Sequence, residues 1–386
     1  MSRTQEEMNI LRGIERSFPN EREVLTFLTQ NQRRIYTGID PTGPTLHLGH
    51  LSILLKLRDL QKLGHSIILL IGDFTARIGD PTGKGAARST LTKEEVQKNE
   101  AQYLSQIGAV LDVGSLEVRH NSEWLGALDS TGLLELASEF TVGQMIERDM
   151  FQERMKAGEP IYLHEFLYPL LQGYDSVALN VDGEVGGNDQ TFNMLLGRTL
   201  LKRRGKEKVV LSTKLLVDPM GKKMGKTEGN MVFLTDEPGN MYGKIMSWPD
   251  SLLPLAFEIL TREPLPTAEE LSSDPLGVKK LLAQSVTALI HGDNAALHAA
   301  ESFTQKFVAK EIADDIPTAS CAPGTLLVDV VIDAGLVRSR SEWRRLVEEC
   351  AVEEVRGSVV SDPLTRVEHS MTLRIGKARF LRIECA

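Results

Sequence analysis

The sequence predicts an α/β chain in which a parallel sheet, interrupted by a helical insertion, is followed by an α-helical domain and a small α+β module. Three observations carry that expectation. Between residues 34 and 72 a strand, a loop rich in Gly and Pro, an amphipathic helix and a second strand follow one another, the βαβ order that lays neighbouring strands parallel. From about 92 to 170 the apolar residues recur at helical spacing before strand-like segments return. From Pro254 to about Pro317 the spacing is helical without strand signals, and the chain ends on short helices and strands.

The elements follow in order. "RIYTGI" (34–39) reads as a strand, and Leu48, Leu51, Leu54, Leu55 and the residues on to Leu63 share a helical face that stops at Gly64. "SIILLIG" (66–72) is the second strand, and alternation returns in "SVALNVDG" (176–183) and "KVVLST" (208–213). "TASCAPG" (318–324) reads as a linker. Beyond it come a helix, a second helix capped near Ser341, and strands from "SVV" and "MTLRIGKARFLRIE". The expected domains are 1–235, 236–317 and 318–386, a reasonable division for 386 residues.

Composition sets the class. The chain is 41% hydrophobic and 25% charged, and no apolar run approaches the roughly 20 residues of a membrane span. The N-terminal "MSRTQEEMNILRGIERSF" mixes Glu with Arg and lacks the apolar core of a secretory signal, so a cytoplasmic protein is expected. Cys321, Cys350 and Cys385 lie far apart without C-x-x-C spacing, which argues against a disulfide framework or a structural zinc site. The net charge of -9 argues against a wholly basic nucleic-acid coat, yet "RTLLKRRGKEK" (198–208) and "RSRSEWRR" (338–345) are basic patches.

Ligands of a parallel sheet sit at the C-terminal ends of its strands, which directs attention to "GIDPTGPTLHLGHL" (38–51). His47 and His50 are three apart, whereas the H-E-x-x-H zinc pair needs a spacing of four and a base between. The alternative chemistry uses the helix N-terminus, whose N–H groups attract phosphate, with Gly49 letting a flat nucleotide approach the backbone. "GKKMGKT" (221–227) misses the phosphate-cradling P-loop by one residue, and "GDPTGKG" (79–85) has Gly where that loop needs Ser or Thr. Alone, the lysine run of residues 222–226 reads equally well as a solvated surface segment.

Taken together they are specific. "HLGH" followed much later by "KMGKT" resembles the paired His-x-Gly-His and Lys-Met-Ser-Lys-Ser signatures of class I aminoacyl-tRNA synthetases. "YTGIDPTGPTLHLGHL", "IGDPTGK", "YPLLQGYDSVAL" and "GGNDQTFN", in this order, narrow the resemblance to the bacterial-type tyrosyl-tRNA synthetases. The likeness runs over most of residues 30 to 235 and more loosely through the tail. It implies a Rossmann-like catalytic domain, MgATP as substrate without a protein-bound metal, L-tyrosine and tRNA(Tyr) as partners, and a homodimer.

The same resemblance implies roles. Thr42 and His47 would face the leaving phosphates, His50 the nucleoside, and Lys223, Lys226 and Thr227 would close over pyrophosphate. Asp80, Tyr168 and Gln172 would hold the substrate ammonium and Gln190 its carboxylate, while Tyr36 and Asp175 would meet its hydroxyl. Gly38, Asp40, Gly49, Gly187 and Asp189 complete the nucleotide site. Spacing agrees for Tyr168, Gln172 and Asp175, which fall on one helical face. Gly225 and Thr227 replace two serines of the signature, and Glu184 stands where some members carry Gln.

The tail resembles a small RNA-binding module, with Arg338, Arg340, Arg344 and Arg345 as phosphate contacts and Trp343 as a base-stacking ring. Another adenylyl-forming enzyme and a non-catalytic RNA-binding relative are the competing expectations. The latter would be expected to have lost His47, Lys226 or Asp175, and all three stand.

Overall fold

The computed structural model describes residues 4–80, 91–217, 231–311, 317–355, 358–376 and 379–385. Lys223, Lys226 and Thr227 lie outside these residues. The chain divides into two compact units, Met1–Ala300 and Glu301–Ala386.

In the first unit six strands, β1 (Ile14–Phe18), β2 (Arg34–Ile39), β3 (Ser66–Ile71), β4 (Glu117–His120), β5 (Gly183–Gly187) and β6 (Val209–Thr213), form one sheet in the order β1-β6-β5-β2-β3-β4. All neighbours run parallel except β1, which lies antiparallel on β6. Strands β3, β5 and β6 are buried along almost their whole length, as a parallel sheet covered on both faces requires. The edge strands β1 and β4 carry "IERSF" and "EVRH", too polar for periodicity to reveal.

Helix α1 (Leu48–Lys62) leaves the C-terminal end of β2, buries Leu48, Leu51, Leu54, Leu55 and Leu60 against the sheet, and is followed by Gly64 at φ +87°, a left-handed turn that favours glycine. Helices α2 (Leu163–Ala178) and α3 (Thr191–Arg203) cross closely. A Cβ on Gly173 would sit 3.1 Å from the backbone N of Gly197, so any larger residue would push the two helices apart by a few tenths of an ångström. The helices α4 (Pro238–Met246), α5 (Leu253–Leu260) and α6 (Pro275–His291) belong to the same unit. Ion pairs tie them to the α/β layer: Arg262 to Asp59 at 2.5 Å and Lys214 to Glu258 at 2.7 Å. A further helix, α7 (Asp293–Glu311), follows.

In the second unit the strands β7 (Thr318–Cys321), β8 (Val352–Glu354), β9 (Met371–Ile375) and β10 (Arg379–Cys385) form a sheet in the order β7-β10-β9-β8. It packs with α8 (Leu327–Asp333) and α9 (Arg340–Glu348) around Leu327, Val331, Trp343, Leu373 and Leu381.

Four expectations are corrected. "SVALNVDG" is not one strand: Ser176–Ala178 is the last turn of α2, and β5 begins only at Gly183, because a few alternating residues cannot separate a helix end from a strand. "TASCAPG" is not a linker throughout, since its small side chains form β7, parallel to β10. The cap of α9 is Ser339, whose hydroxyl accepts from the N–H of Glu342. "SVV" contributes only a single bridge, Val359 to Glu353.

Candidate active site

One cleft of about 540 Å³ opens at the C-terminal ends of β2, β3 and β5, where a parallel sheet presents its ligands. Gly38, Asp40, Thr42, His47, Gly49 and His50 line it from the β2–α1 connection. Asp80, Tyr168, Gln172 and Asp175 line it from the β3 side and α2, and Gly187, Asp189 and Gln190 from the end of β5. Residues drawn from four separate stretches of sequence therefore meet in one place.

His47 is the N-cap of α1. Its Nδ1 accepts from the N–H of Gly49 at 3.1 Å, and Nδ1 of His50 accepts from the N–H of His47 at 3.2 Å. An imidazole that accepts at Nδ1 carries its proton on Nε2 when neutral, so both rings offer N–H donors. Their centroids lie 4.0 Å apart. A Cβ on Gly49 would come within 2.8 Å of the His47 ring, so glycine here preserves the cap.

The predicted amino-acid residues are joined to one another more than sequence shows. The Tyr168 hydroxyl donates to Asp40 Oδ2 at 2.8 Å while Thr75 donates to Oδ1 at 2.7 Å. Gln190 Nε2 donates to Asp80 Oδ2 at 2.7 Å, and Asn193 donates to both Gln172 and Gln190 at 2.7 and 3.0 Å. Asp40 thus ties the end of β2 to α2, and Asp80 ties the end of the β3 stretch to the residues after β5. Burial, helped by Asp40 and Asp80, pushes the Tyr168 phenol well up, so it stays a protonated donor.

Asp175 is 2% exposed and accepts from Trp124 Nε1 at 2.7 Å and from Asn121 Nδ2 at 3.3 Å. Burial pushes its carboxyl well up, against those two donors. Tyr36 is fully buried, and its hydroxyl lies 2.8 Å from Ser176 Oγ on the same helix as Asp175.

Sequence reasoning missed Thr75, Asn121, Trp124, Arg148 and Asn193. Arg148 is buried with Nη2 3.6 Å from Asp80 Oδ1 and its guanidinium over the Phe192 ring. Asn121 directly follows β4 at its C-terminal end, where ligands gather, but that strand is too polar to be read from the sequence, so the signal was hidden with it. Trp343 is corrected: it is 1% exposed, its Nε1 donates to Pro363 O at 3.0 Å, and it belongs to the core of the second unit. Its ring stacks on no exposed base. Arg338, Arg340, Arg344 and Arg345 are all exposed; Arg340 pairs with Asp329 at 2.6 Å and Arg345 with Glu349 at 3.7 Å.

A largely parallel α/β sheet whose β2–α1 connection sets two imidazoles at a helix N-terminus is suited to a phosphate-bearing ligand such as a nucleotide. The family model of class I tRNA synthetases (W and Y) matches residues 28–308. A tyrosine–tRNA ligase 2 of Vibrio parahaemolyticus is 42% identical over 383 residues, 97% of each chain. A tyrosine–tRNA ligase of Thermotoga maritima is 40% identical, covering 98% of this chain and 97% of that one. Among solved structures, the tyrosyl-tRNA synthetase of Archaeoglobus fulgidus complexed with L-tyrosine aligns with a TM-score of 0.59 at 26% identity, over 77% of this chain and 99% of that chain. The chain belongs to the class I tRNA synthetases and, within them, to the tyrosine–tRNA ligases.

Proposed function

We propose that the chain activates L-tyrosine with MgATP and transfers it to the terminal ribose of tRNA(Tyr). The observation that carries this is the single cleft joining the His47–His50 helix start to the Asp175 end of α2. A tyrosine carboxylate oxygen attacks the α-phosphorus, the bond to the β-phosphate oxygen breaks, and pyrophosphate leaves with the electron pair. A hydroxyl of the tRNA ribose then attacks the acyl carbon and AMP leaves. No side chain need be covalently modified, so catalysis rests on oriented donors for the charge that grows on the leaving phosphates.

His47 and His50 supply such donors through Nε2, and Thr42 lies beside them in the cleft wall. Lys223, Lys226 and Thr227 are assigned to pyrophosphate by the signature in which they stand. Asp40, Gly38, Gly187 and Asp189 take the nucleotide, and Asp80, Tyr168, Gln172 and Gln190 the amino-acid head group. Magnesium enters with ATP as part of the substrate. ATP–pyrophosphate exchange across the twenty amino acids tests the reading: exchange should depend on tyrosine alone, and exchange with another amino acid, or with none, would overturn it.

Asp175 is the group that reads the phenol. Asp175→Asn should lower the preference for tyrosine over phenylalanine about two- to tenfold, since a side-chain hydrogen bond contributes roughly 0.5–1.5 kcal/mol. Rejection of the analogue lacking a hydroxyl follows a general rule whose standard illustration is this class of enzyme, so the rule is borrowed here. An unchanged ratio of kcat/KM values would remove Asp175 from the phenol site.

The described residues hold no helix long and apolar enough to cross a membrane, and a cytoplasmic setting suits the chemistry. A homodimer is supported by apolar side chains on the helical insertion, where Leu134 and Val142 are 71% and 69% exposed. The three-part division at 235 and 317 assigns the chemistry to the first part and tRNA contacts to the others. Replacing Arg338, Arg340, Arg344 and Arg345 by Gln should leave tyrosine-dependent exchange intact and flatten the salt dependence of tRNA binding, because fewer counterions are released. A salt slope equal to that of the parent chain would show those arginines to be surface charge only.

A further inference from the structure

Cys321 and Cys385 are far apart in the sequence and side by side in the fold. Strand β7 runs parallel to β10, and the two cysteines are register partners at the last residue of each strand. Register partners of a parallel pair point to one face of the sheet, and the alternation of burial shows which. Thr318 and Ser320 are exposed while Ala319 and Cys321 are half-buried; Arg382 and Glu384 are exposed while Leu381 and Ile383 are buried. Both thiols thus lie on the core side of the second unit, against which both residues pack. Neighbouring strands are about 4.8 Å apart, inside the roughly 4.4–6.8 Å that a disulfide spans between Cα atoms. Loss of solvation, and then the Cys385 thiol hydrogen-bonded to it, push the Cys321 thiol up. The N–H of Cys385 donates to Ser370 Oγ at 3.0 Å, which fixes that strand end. Cys350, exposed in the turn after α9, belongs to neither strand.

We propose that Cys321 and Cys385 are a redox-responsive pair, which a low-molecular-weight disulfide converts to a bridge tying β7 to β10. One protein thiolate attacks the small disulfide, whose S–S bond breaks and whose second sulfur leaves with the electron pair. The other protein thiolate attacks the cysteine sulfur of this mixed disulfide, and the second small thiolate leaves. Two protein thiols are oxidised to one disulfide, one small disulfide is reduced to two thiols, and two protons pass from the former to the latter. A reducing compartment keeps the pair as thiols, so a bridge marks a change of redox state. The loop it closes contains α8 and α9, so bridging restrains the arginine-bearing helix together with the sheet.

The test incubates the native full chain with oxidised glutathione, alkylates the remaining thiols and maps the peptides by mass spectrometry. One bridge, Cys321 to Cys385, is expected, and Cys350→Ser should form it equally. Cys321→Ser should instead leave Cys385 as a glutathione adduct. Hydrogen–deuterium exchange of peptides within 318–385 should slow at least about tenfold on bridging and recover with dithiothreitol. Glutathione on both Cys321 and Cys385 without a bridge, a bridge through Cys350, or two unreacted thiols would each overturn the pairing. A bridge that leaves the exchange rates unchanged would overturn its restraining role.

Discussion

Lys208→Met alone should destabilise the sheet-bearing unit by about 3–5 kcal/mol, the cost of leaving one charge of a buried ion pair without its partner. Lys208 is fully buried and Glu184 nearly so, so water cannot replace the lost ammonium. Ser176 and the Met194 carbonyl lose a donor in the same step, and each buried acceptor left without one adds its own penalty. The double variant Glu184→Gln/Lys208→Met should recover most of the loss, because exchanging both charges for neutral groups of similar volume is close to neutral. Urea titration reads both changes as shifts in midpoint at constant slope. Equal losses in the single and the double variant would mean that Lys208 contributes by packing rather than by pairing with Glu184.

That network was only partly legible in the sequence. Glu184 could be noticed as an acid among small residues, but its partner is 24 residues away, and the meeting depends on a strand register that no local pattern encodes. The contact of the Tyr36 hydroxyl with Ser176 was not legible, since that partner lies 140 residues further on, on the helix that also carries Asp175 and Gln172. The βαβ opening, by contrast, could be read directly. Its strands are apolar runs, its helix has one apolar face, and Gly64 marks the stop. Strand β1 was hidden because an antiparallel edge strand tolerates Glu, Arg and Ser. Trp343 misled for a related reason: it sits among arginines in sequence, yet on α9 the indole points inward while Arg344 and Arg345 point to water. A run of charges shows which residues are near each other along the chain, and helical geometry decides which face they share.

His47→Ala should slow adenylate formation about 10²- to 10³-fold, the usual cost of removing one preorganised donor to developing charge. The donor is identified by what the ring already does. Nδ1 accepts from the N–H of Gly49, which leaves Nε2–H as the donor of a neutral imidazole on the cleft wall. Negative charge on the leaving phosphates grows mainly in the transition state, so the loss should fall on the rate of activation and leave tyrosine affinity within about twofold. The substitution also removes the cap of α1, which costs about 1 kcal/mol of stability. His47→Asn separates the two effects, since asparagine caps a helix start well but does not reach where Nε2 reaches. The asparagine variant should therefore melt close to the parent chain and remain slow in single-turnover adenylate formation. If tyrosine affinity dropped as far as the rate in either variant, His47 would be shaping the amino-acid pocket and the phosphate assignment would be wrong.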